Sequence, residues 1–288
     1  MKIEEGIELR QLTTIGTGGP ARAFARPETL DQLEESLVWA AERRLPVAPV
    51  GLGSNLLAAD EGVDMLVLRL AGRLAEVAIE PPLLRAGGGA ALAVCLHRAR
   101  GAELGGIEFA CAIPGTAGGA VWMNAGAYGG DVAGVLQRAL VVDAAGRHWM
   151  TPAELGLEYR RSGLRRGQIV AEVEITLEPR PLEEIKSTVA GMQAQRKAAQ
   201  PTNKRTFGSV FKNPAHELSA GRMLEACGLR GFRIGGAQIS PRHANFIENA
   251  DGARTEDALA LMDEARRRAR EQFGAALEHE VQLLGLPG

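Results

Sequence analysis

An uncharged run, FACAIPGTAGGAVWMNAGAYG, occupies residues 109–129 and consists mainly of glycine, alanine and other small residues. Its glycines are too frequent for one stable helix, because glycine costs about 1 kcal/mol relative to alanine at each helical position. A backbone without bulky side chains packs directly against a large flat ligand and its diphosphate. The run therefore predicts a ligand-binding segment with Thr116 and Asn124 as polar contacts, and a tightly packed core loop is the alternative.

A second glycine loop, GLGSNLL at residues 51–57, follows the apolar residues 46–50, which are predicted to form a short buried strand. Glycines at the end of a strand let the backbone approach a ligand, and consecutive N–H groups bind phosphate. The loop lacks the third glycine of the GxGxxG turn of dinucleotide-binding domains. It predicts a phosphate-binding loop of another kind, and a plain tight turn is the alternative.

Helical and strand patterns follow one another in an order that favours an α+β protein over a continuous doubly wound sheet. Helices are predicted at Leu182–Ala199 and Thr255–Phe273, because apolar residues recur there at helical spacing. Alternating apolar and polar residues predict strands at 169–177 and 277–284. If residues 207–211 also form a regular strand, Phe207, Ser209 and Phe211 share one face.

Composition excludes several classes of function. The net charge is -2, which does not favour a protein that coats nucleic-acid phosphates. No stretch approaches the roughly 20 apolar residues of a membrane helix, and the first residues do not resemble a secretory signal. Cys95, Cys111 and Cys227 form no CxxC pair, and the five histidines lack metal-binding spacing. We therefore expect a cytoplasmic protein with reduced thiols and no metal.

The two glycine loops and five further motifs resemble, in order, those of the UDP-N-acetylenolpyruvoylglucosamine reductases, also called UDP-N-acetylmuramate dehydrogenases. The further motifs are TTIGTGG at 13–19, LEYRRS at 157–162, FGSVFKNP at 207–214, GGAQIS at 235–240 with HANF at 243–246, and LEHEV at 277–281. The resemblance extends over essentially the whole chain. Longer members of that family carry an inserted element with a tyrosine. The tyrosines here are Tyr128 and Tyr159, so the chain resembles the short form.

The resemblance implies a vanillyl-alcohol-oxidase-like FAD-binding fold in two N-terminal lobes, residues 1–73 and 74–180. A C-terminal α+β substrate-binding domain, residues 181–288, would follow, with its last strand returning toward the FAD lobes. Some relatives in that wider class attach the flavin to a histidine near the first glycine loop. Asn55 stands there in this sequence, so we expect noncovalent FAD. The implied cofactor-binding residues are Gly51, Leu52, Gly53, Ser54, Asn55, Leu56, Gly115, Thr116, Gly118, Gly119, Asn124, Ala125, Gly126, Ala127 and Ile169.

The resemblance also implies a reaction in which NADPH reduces FAD and the enolpyruvyl ether of a UDP-sugar then accepts the hydride. Ser209 would donate a proton to the resulting carbanion, Arg160 would bind its carboxylate, and protonated Glu280 would hydrogen-bond to it. Arg161 and Glu278 are rivals by position, and the family motifs select Arg160 and Glu280. The implied substrate-binding residues are Tyr128, Lys204, Asn213, Arg233, Gln238, His243 and Asn245. Arg205 is an alternative to Lys204 beside the diphosphate.

Two other functions stay open on the sequence. One is an FAD oxidoreductase of the same fold that acts on another small alcohol or sugar. The other is a flavin-binding module without catalysis, used for sensing or docking. The joint presence of Arg160, Ser209 and Glu280 favours the reductase over both.

Overall fold

The computed structural model describes residues 2–286, which form two compact units. The first unit contains residues up to 5, 23–52 and 64–196, and the second contains residues 6–22, 53–63 and those from 197 onward. Within the described residues, no helix is long and apolar enough to cross a membrane. The predicted division into three lobes remains a prediction.

Twenty strands are assigned within the described chain. They are β1 Ile3–Glu4, β2 Ile7–Glu8, β3 Pro20–Ala25, β4 Val47–Pro49, β5 Leu56–Ala58, β6 Val63–Leu68, β7 Val77–Glu80, β8 Leu83–Gly87, β9 Leu104–Gly105, β10 Gly126–Ala127, β11 Gly130–Asp131, β12 Leu136–Asp143, β13 Gly146–Met150, β14 Ile169–Thr176, β15 Glu178–Pro179, β16 Thr206–Ser209, β17 Arg233–Ile234, β18 Ala237–Ile239, β19 Phe246–Asn249 and β20 Gln282–Leu284.

Six α-helices accompany these strands in the described chain. They are α1 Leu30–Glu42, α2 Leu92–Gly101, α3 Ala117–Trp122, α4 Leu182–Ala199, α5 Ala220–Ala226 and α6 Thr255–Phe273. Short 3-10 turns lie at Leu9–Gln11, Gly72–Ala75 and Glu108–Ala112. The bounds predicted for α4 and α6 are confirmed.

The first unit is built on an antiparallel sheet with the strand order β13-β12-β14-β8-β7. A second sheet has the strand order β1-β3-β6-β4. The first unit includes β3 from Ala23 and β6 from Asp64. Helix α1 begins at Thr29, whose side chain accepts a hydrogen bond from the N–H of Gln32. Its buried face carries Leu33 and Leu37 at helical spacing, and both pack in a cluster with residues of β12 and β14.

The second unit contains the antiparallel sheet β16-β19-β18-β17 and the parallel pair β5–β20. Helix α6 buries Ala258, Leu261, Met262 and Ala265, which recur every three or four residues. It ends at Gly274, which has a left-handed φ of 65°. These apolar residues pack with those of β16, β18 and β19 in one hydrophobic cluster.

The structure corrects two strand predictions. The strand expected at residues 277–284 is regular only at Gln282–Leu284, and His279 makes an isolated bridge with Phe211. Strand β16 ends at Ser209, and its pairing with β19 shifts register around Gly208, whose φ is 83°. Alternation therefore breaks here: Phe207 and Phe211 are buried, while Ser209 is half-exposed. The sequence pattern records the spacing of residues but not the partners that a strand requires.

A buried carboxylate stabilises the large sheet of the first unit. Glu174 on β14 is 2% exposed, and its oxygens accept hydrogen bonds of 2.6 and 3.1 Å from Nε and Nη2 of Arg138. Nε of Arg85 lies 3.1 Å from Oε1 of the same carboxylate. The Arg138 guanidinium also stacks 4.2 Å from the ring centroid of Trp149. The strands β8, β14, β12 and β13 are thereby connected through one charged group.

We predict that Glu174→Gln lowers the free energy of unfolding by about 2 kcal/mol at neutral pH, because two half-exposed arginines lose a buried partner. Hydrogen bonding from Arg138 lowers the pKa of Glu174 from its ordinary value of 4.5. The stabilisation is therefore complete above that value and is lost as the pH falls through the lowered pKa. Urea unfolding of both proteins across this pH range measures the difference.

Glu183→Gln provides the matched control, since Glu183 pairs with Lys186 on the exposed surface of α4. Surface pairs of this kind contribute little to stability. Equal stability changes in the two variants would contradict the assignment to Glu174.

Candidate active site

The uncharged run at 109–129 is held in the first unit by backbone contacts. The N–H of Gly118 donates to the carbonyl of Gly88 at 2.8 Å, and the N–H of Ala117 donates to the carbonyl of Ala90 at 2.8 Å. Thr116 begins α3, and its hydroxyl accepts a 3.3 Å hydrogen bond from the N–H of Gly119. The residues 115–119 therefore lie at the N-terminal end of this short helix, where backbone hydrogen bonds fix it.

The glycines of this region fall into two groups. A Cβ on Gly118 would lie 3.0 Å from the carbonyl oxygens of Gly88 and Val170, and one on Gly51 would lie 2.6 Å from Oγ1 of Thr116. Packing alone therefore explains these two glycines. The nearest atoms to a Cβ on Gly119 and Gly115 lie at 3.4 and 3.9 Å, which are ordinary contacts.

Gly119 is exposed within α3, where glycine costs about 1 kcal/mol relative to alanine. Nothing in the described chain compensates for that cost by close packing. A ligand that approaches the backbone of Gly115 and Gly119 accounts for both residues. This open backbone surface fits the flat ring or diphosphate of a dinucleotide such as FAD.

Asn124 connects the uncharged run to the LEYRRS motif. It is 3% exposed, its Nδ2 donates to the carbonyl of Glu158 at 3.0 Å, and its Oδ1 accepts from the N–H of Ala133 at 2.9 Å. Ser162 donates to the carbonyl of Trp122 at 2.7 Å. Sequence reasoning gave Ser162 no role, although its motif contains it. The amide of Asn124 therefore positions backbone, and a flavin contact by its side chain remains a prediction.

Arg160 lies against the same run. Its Nη2 donates to the carbonyl of Gly126 at 2.6 Å, and its guanidinium lies 5.0 Å from the ring centroid of Tyr159. Its backbone is left-handed with φ 55°, a strained conformation for a residue with a side chain. The rival Arg161 is exposed and forms a 2.6 Å ion pair with Glu158. The geometry favours Arg160 over Arg161 for binding an anionic group beside the run.

The first unit also contains Tyr128 and Ile169, which were predicted to contact substrate and cofactor, and Glu108, which directly precedes the uncharged run. Tyr128 is exposed with a left-handed φ of 52°, and partial burial raises the pKa of its phenol. Ile169 is 1% exposed and its side chain packs in the cluster with α1, and its predicted contact with the cofactor remains a prediction. Glu108 was missed: it is buried and accepts 2.8 and 2.9 Å hydrogen bonds from Arg180 and the N–H of Gly106. The one sequence feature that could have pointed to Glu108 is its position as an acidic residue directly before the uncharged run.

The loop around Gly53 belongs to the second unit. Gly53 has a φ of 69°, and a Cβ there would overlap the carbonyl oxygen of Leu12. The hydroxyl of Thr14 lies 2.6 Å from the carbonyl of Thr206 and 3.2 Å from that of Gly53. The TTIGTGG motif thereby connects the predicted flavin loop to the strand that carries Ser209. This structural role was not assigned from the sequence.

Ser209 and Glu280 lie on neighbouring backbone segments of the second unit. The N–H of Glu280 donates to the carbonyl of Val210, which follows Ser209, at 2.9 Å. Nδ2 of Asn55 donates to the carbonyl of Glu280 at 3.0 Å. The rival Glu278 is exposed and pairs with Lys212 at 2.6 Å. The structure therefore brings Ser209 and Glu280 together at the level of the backbone, beside the Gly53–Leu56 loop.

The predicted substrate-binding residues of the second unit have separate environments. Lys204 is exposed, and Asn213 accepts a 3.1 Å hydrogen bond from the N–H of Ala220 at the start of α5. Arg233 and Gln238 face each other across the β17–β18 hairpin, with a 3.3 Å hydrogen bond between their side chains. These four residues remain predictions as substrate contacts.

His243 and Asn245 have side chains that bond to the protein itself. Nδ1 of His243 accepts from the N–H of Asn245 at 3.2 Å, and burial lowers the pKa of His243 from its ordinary value. Asn245 is 4% exposed, and its amide binds both the N–H and the carbonyl of Phe211 at 3.0 and 2.8 Å. Asn245 thus replaces strand pairing for the segment after Ser209, and its predicted contact with a substrate remains untested.

Comparisons with known proteins show the family of this chain. Residues 21–151 match the model of an FAD binding domain, and residues 200–284 match that of the C-terminal domain of UDP-N-acetylenolpyruvoylglucosamine reductase. A UDP-N-acetylenolpyruvoylglucosamine reductase of Symbiobacterium thermophilum is 42% identical over 99% of this chain and 92% of its own. The chain belongs to the UDP-N-acetylenolpyruvoylglucosamine reductase family.

Another reductase of this family, from Limosilactobacillus reuteri, is 37% identical over 99% of this chain and 96% of its own. The crystal structure of the reductase from Thermus caldophilus superposes with a TM-score of 0.87 at 38% identity, and each chain covers 99% of the other. The family and the α+β fold class predicted from the motifs are therefore confirmed. In residues 2–286, no group of three or more His, Cys, Asp or Glu side chains could hold a metal ion.

We predict that Gly119→Ala weakens FAD binding while the protein keeps or gains stability. The added methyl meets only Thr116 at an ordinary distance, and alanine favours the helix by about 1 kcal/mol. It would, however, occupy the surface that a bound flavin requires. Fluorescence titration of the flavin-free protein with FAD measures the affinity, and thermal unfolding without FAD measures the stability.

Gly191→Ala is the matched control, because Gly191 is exposed in α4 and a Cβ there meets nothing within 4 Å. It should stabilise the helix similarly and leave FAD affinity unchanged. An unchanged affinity in Gly119→Ala would remove Gly119 from the cofactor site.

Proposed function

We propose that this chain is an FAD-dependent reductase that uses NADPH to reduce UDP-N-acetylglucosamine enolpyruvate to UDP-N-acetylmuramate, a precursor of peptidoglycan. The observation that carries the proposal is the backbone pairing of the Ser209 and Glu280 segments, by the Val210–Glu280 hydrogen bond, directly beside Asn55 of the flavin loop. The family membership supports the same substrate. A cytoplasmic location accords with this reaction.

Bound FAD would supply a hydride, received from NADPH, to the terminal carbon of the enolpyruvyl alkene. The adjacent substrate carbon then bears negative charge that spreads into its carboxylate, and this dianion is the costly species. The protein therefore has to stabilise the charge and deliver one proton to that carbon. Hydride and proton together convert the alkene into the lactyl ether of the product.

Ser209 serves as the proton donor. A serine hydroxyl is an ordinary weak acid, but a strongly basic enolate accepts its proton when the geometry is fixed. Here the backbone around Ser209 is fixed on two sides. Val210 bonds to Glu280 on one side and to the carbonyl of Asn245 on the other, at 2.9 Å in each case. Half-exposure leaves the hydroxyl accessible to a substrate.

Arg160 and Glu280 serve to stabilise the anion. The guanidinium stays protonated and presents several N–H donors, which suits binding of the substrate carboxylate. Glu280 acts in its protonated form, because an ionised carboxylate would repel the dianion.

Neither alternative function is favoured. The relatives that match over nearly the whole chain carry the name of the enolpyruvoylglucosamine reductase. An enzyme for another alcohol or sugar, or a docking module, has no corresponding support.

The decisive experiment follows the flavin colour without oxygen. The purified protein should be yellow, NADPH should bleach it, and UDP-N-acetylglucosamine enolpyruvate should then restore the oxidised spectrum. Failure of this substrate to restore the spectrum would favour the other oxidoreductases. Failure of NADPH to bleach the flavin would favour the docking module.

We further predict that Ser209→Ala separates the two half-reactions. Bleaching by NADPH should continue at nearly the original rate, because it does not use the serine proton. Reoxidation by the enolpyruvyl substrate should slow by about 100-fold or more, in the range of lost general-acid catalysis. Rapid-mixing absorbance measurements of each step test this, and equal slowing of both steps would remove Ser209 from the proton-donor role.

A further inference from the structure

We propose that the side chain of Asn55 is a positioning group for Glu280 and does not act as a cofactor contact. The role of Glu280 in this inference rests on the proposed function, whereas hydrogen exchange tests the hold of Asn55 on the Glu280 segment independently of that function. Asn55 lies in the GLGSNLL loop, which the motif as a whole assigns to the flavin. The side-chain amide of Asn55, however, donates a hydrogen bond to the backbone carbonyl of Glu280.

Glu280 lies where regular strand pairing is missing. Strand β20 begins only at Gln282, and the residues before it make a single isolated bridge, between His279 and Phe211. The backbone of Glu280 is therefore not held by a continuous ladder. Its N–H donates to Val210 at 2.9 Å, and its carbonyl accepts from Nδ2 of Asn55 at 3.0 Å.

Asn55 holds this segment at two successive points. Besides the side-chain bond to Glu280, its backbone carbonyl accepts the N–H of Gln282 at 3.0 Å. The parallel pairing of β20 with β5 then starts at Gln282 opposite Leu56. The amide of Asn55 thus adds one contact beyond that pairing, at Glu280, two residues before β20 begins.

The consequence concerns the geometry between Glu280 and Ser209. The carbonyl of Val210 accepts the N–H of Glu280, and Nδ2 of Asn55 donates to the carbonyl of Glu280 at 3.0 Å, where Nε2 of Gln282 makes a longer contact of 3.4 Å. These bonds hold the two peptide groups on either side of the Glu280 Cα, and through them they set the direction in which its side chain projects. Reacting groups lose much of their effect when they are displaced by about 1 Å, so loosening one side should impair the step that uses Glu280.

The test compares Asn55→Ala and Asn55→Asp with the wild-type holoenzyme. Aspartate keeps the shape of asparagine but, when ionised, has no donor for the Glu280 carbonyl. We expect both variants to be bleached by NADPH at nearly the wild-type rate. Reoxidation by the enolpyruvyl substrate should slow by about 10-fold or more, as the loss of one positioning hydrogen bond implies.

Asn249→Ala is the matched control for general loss of stability. Asn249 also donates through Nδ2 to a backbone carbonyl of the second unit, that of Ile15, at the same length of 3.0 Å. In the part of the chain that the structure describes, the hydrogen bonds of Asn249 lead to Ile15, Ala253 and Arg205, and none reaches Glu280, Asn55 or Ser209. This variant should keep both half-reactions near wild-type rates.

A second measurement does not depend on activity. Hydrogen exchange followed by mass spectrometry on the flavin-loaded proteins should show faster exchange of the peptide covering residues 278–284 in both Asn55 variants. The Asn249 variant should leave that peptide unchanged. This readout tests the positioning of Glu280 even if the wild-type flavin is not reoxidised by the enolpyruvyl substrate, a result that would count against the proposed function alone.

Three results would overturn the inference. Weaker FAD binding, or slowing of both half-reactions alike, would make Asn55 a cofactor residue. Unchanged reoxidation or unchanged exchange of the 278–284 peptide would show that its amide does not hold Glu280. An equal effect of Asn249→Ala on reoxidation would show that the change reflects stability alone.

Discussion

Close approach of three backbone segments is the constraint on which the first unit depends. The N–H of Gly88 donates to the carbonyl of Ala171 at 2.8 Å, and the carbonyl of Gly88 accepts the N–H of Gly118 at the same distance. A Cβ on Gly88 would overlap the carbonyl oxygen of Val170. Side chains are thus excluded where β14, the β8–α2 loop and α3 meet. The uncharged run owes its position to this contact, which leaves Gly115 and Gly119 available to a ligand.

In the second unit, asparagine side chains bind backbone N–H and carbonyl groups at places where regular strand pairing ends. Asn245 binds both backbone polar groups of Phe211, and Asn55 binds the carbonyl of Glu280. In the first unit Asn124 does the same for Glu158 and Ala133. Buried backbone groups require partners, and an asparagine that supplies them lets the chain bend out of a regular sheet. Glu280 is one of the residues held in this way, and Phe211 and Glu158 lie two positions from Ser209 and Arg160, for which we propose roles in the reaction.

The sequence predicted the bounds of helices α4 and α6 better than it predicted which strands and segments pair with one another. Helices α4 and α6 have clear apolar periodicity and breakers at their ends, so local pattern was sufficient for their bounds. The grouping of residues 6–22 and 53–63 with the C-terminal part depends on contacts between distant segments, which local pattern does not contain. The alternation at 277–284 likewise predicted a longer strand than the available partners support.

The motifs select candidate residues, but they do not show what each side chain contacts. Asn55 and Asn124 stand in loops that resemble flavin-binding segments, and both amides bond to the chain's own carbonyls. A residue name in a motif is compatible with either a ligand contact or a backbone contact. The choice between Arg160 and Arg161 shows the reverse, because the ion pair of Arg161 with Glu158 supports the motif-based choice of Arg160.

The left-handed backbone of Arg160 has an evolutionary consequence. Glycine at that position would relieve a strain of about 1–3 kcal/mol, whereas the proposed reaction requires the guanidinium that only arginine presents. Selection for stability alone would therefore favour glycine at position 160, whereas selection for the proposed reaction would favour arginine. Without that requirement, the Arg160→Gly substitution would stabilise the folded chain at this position.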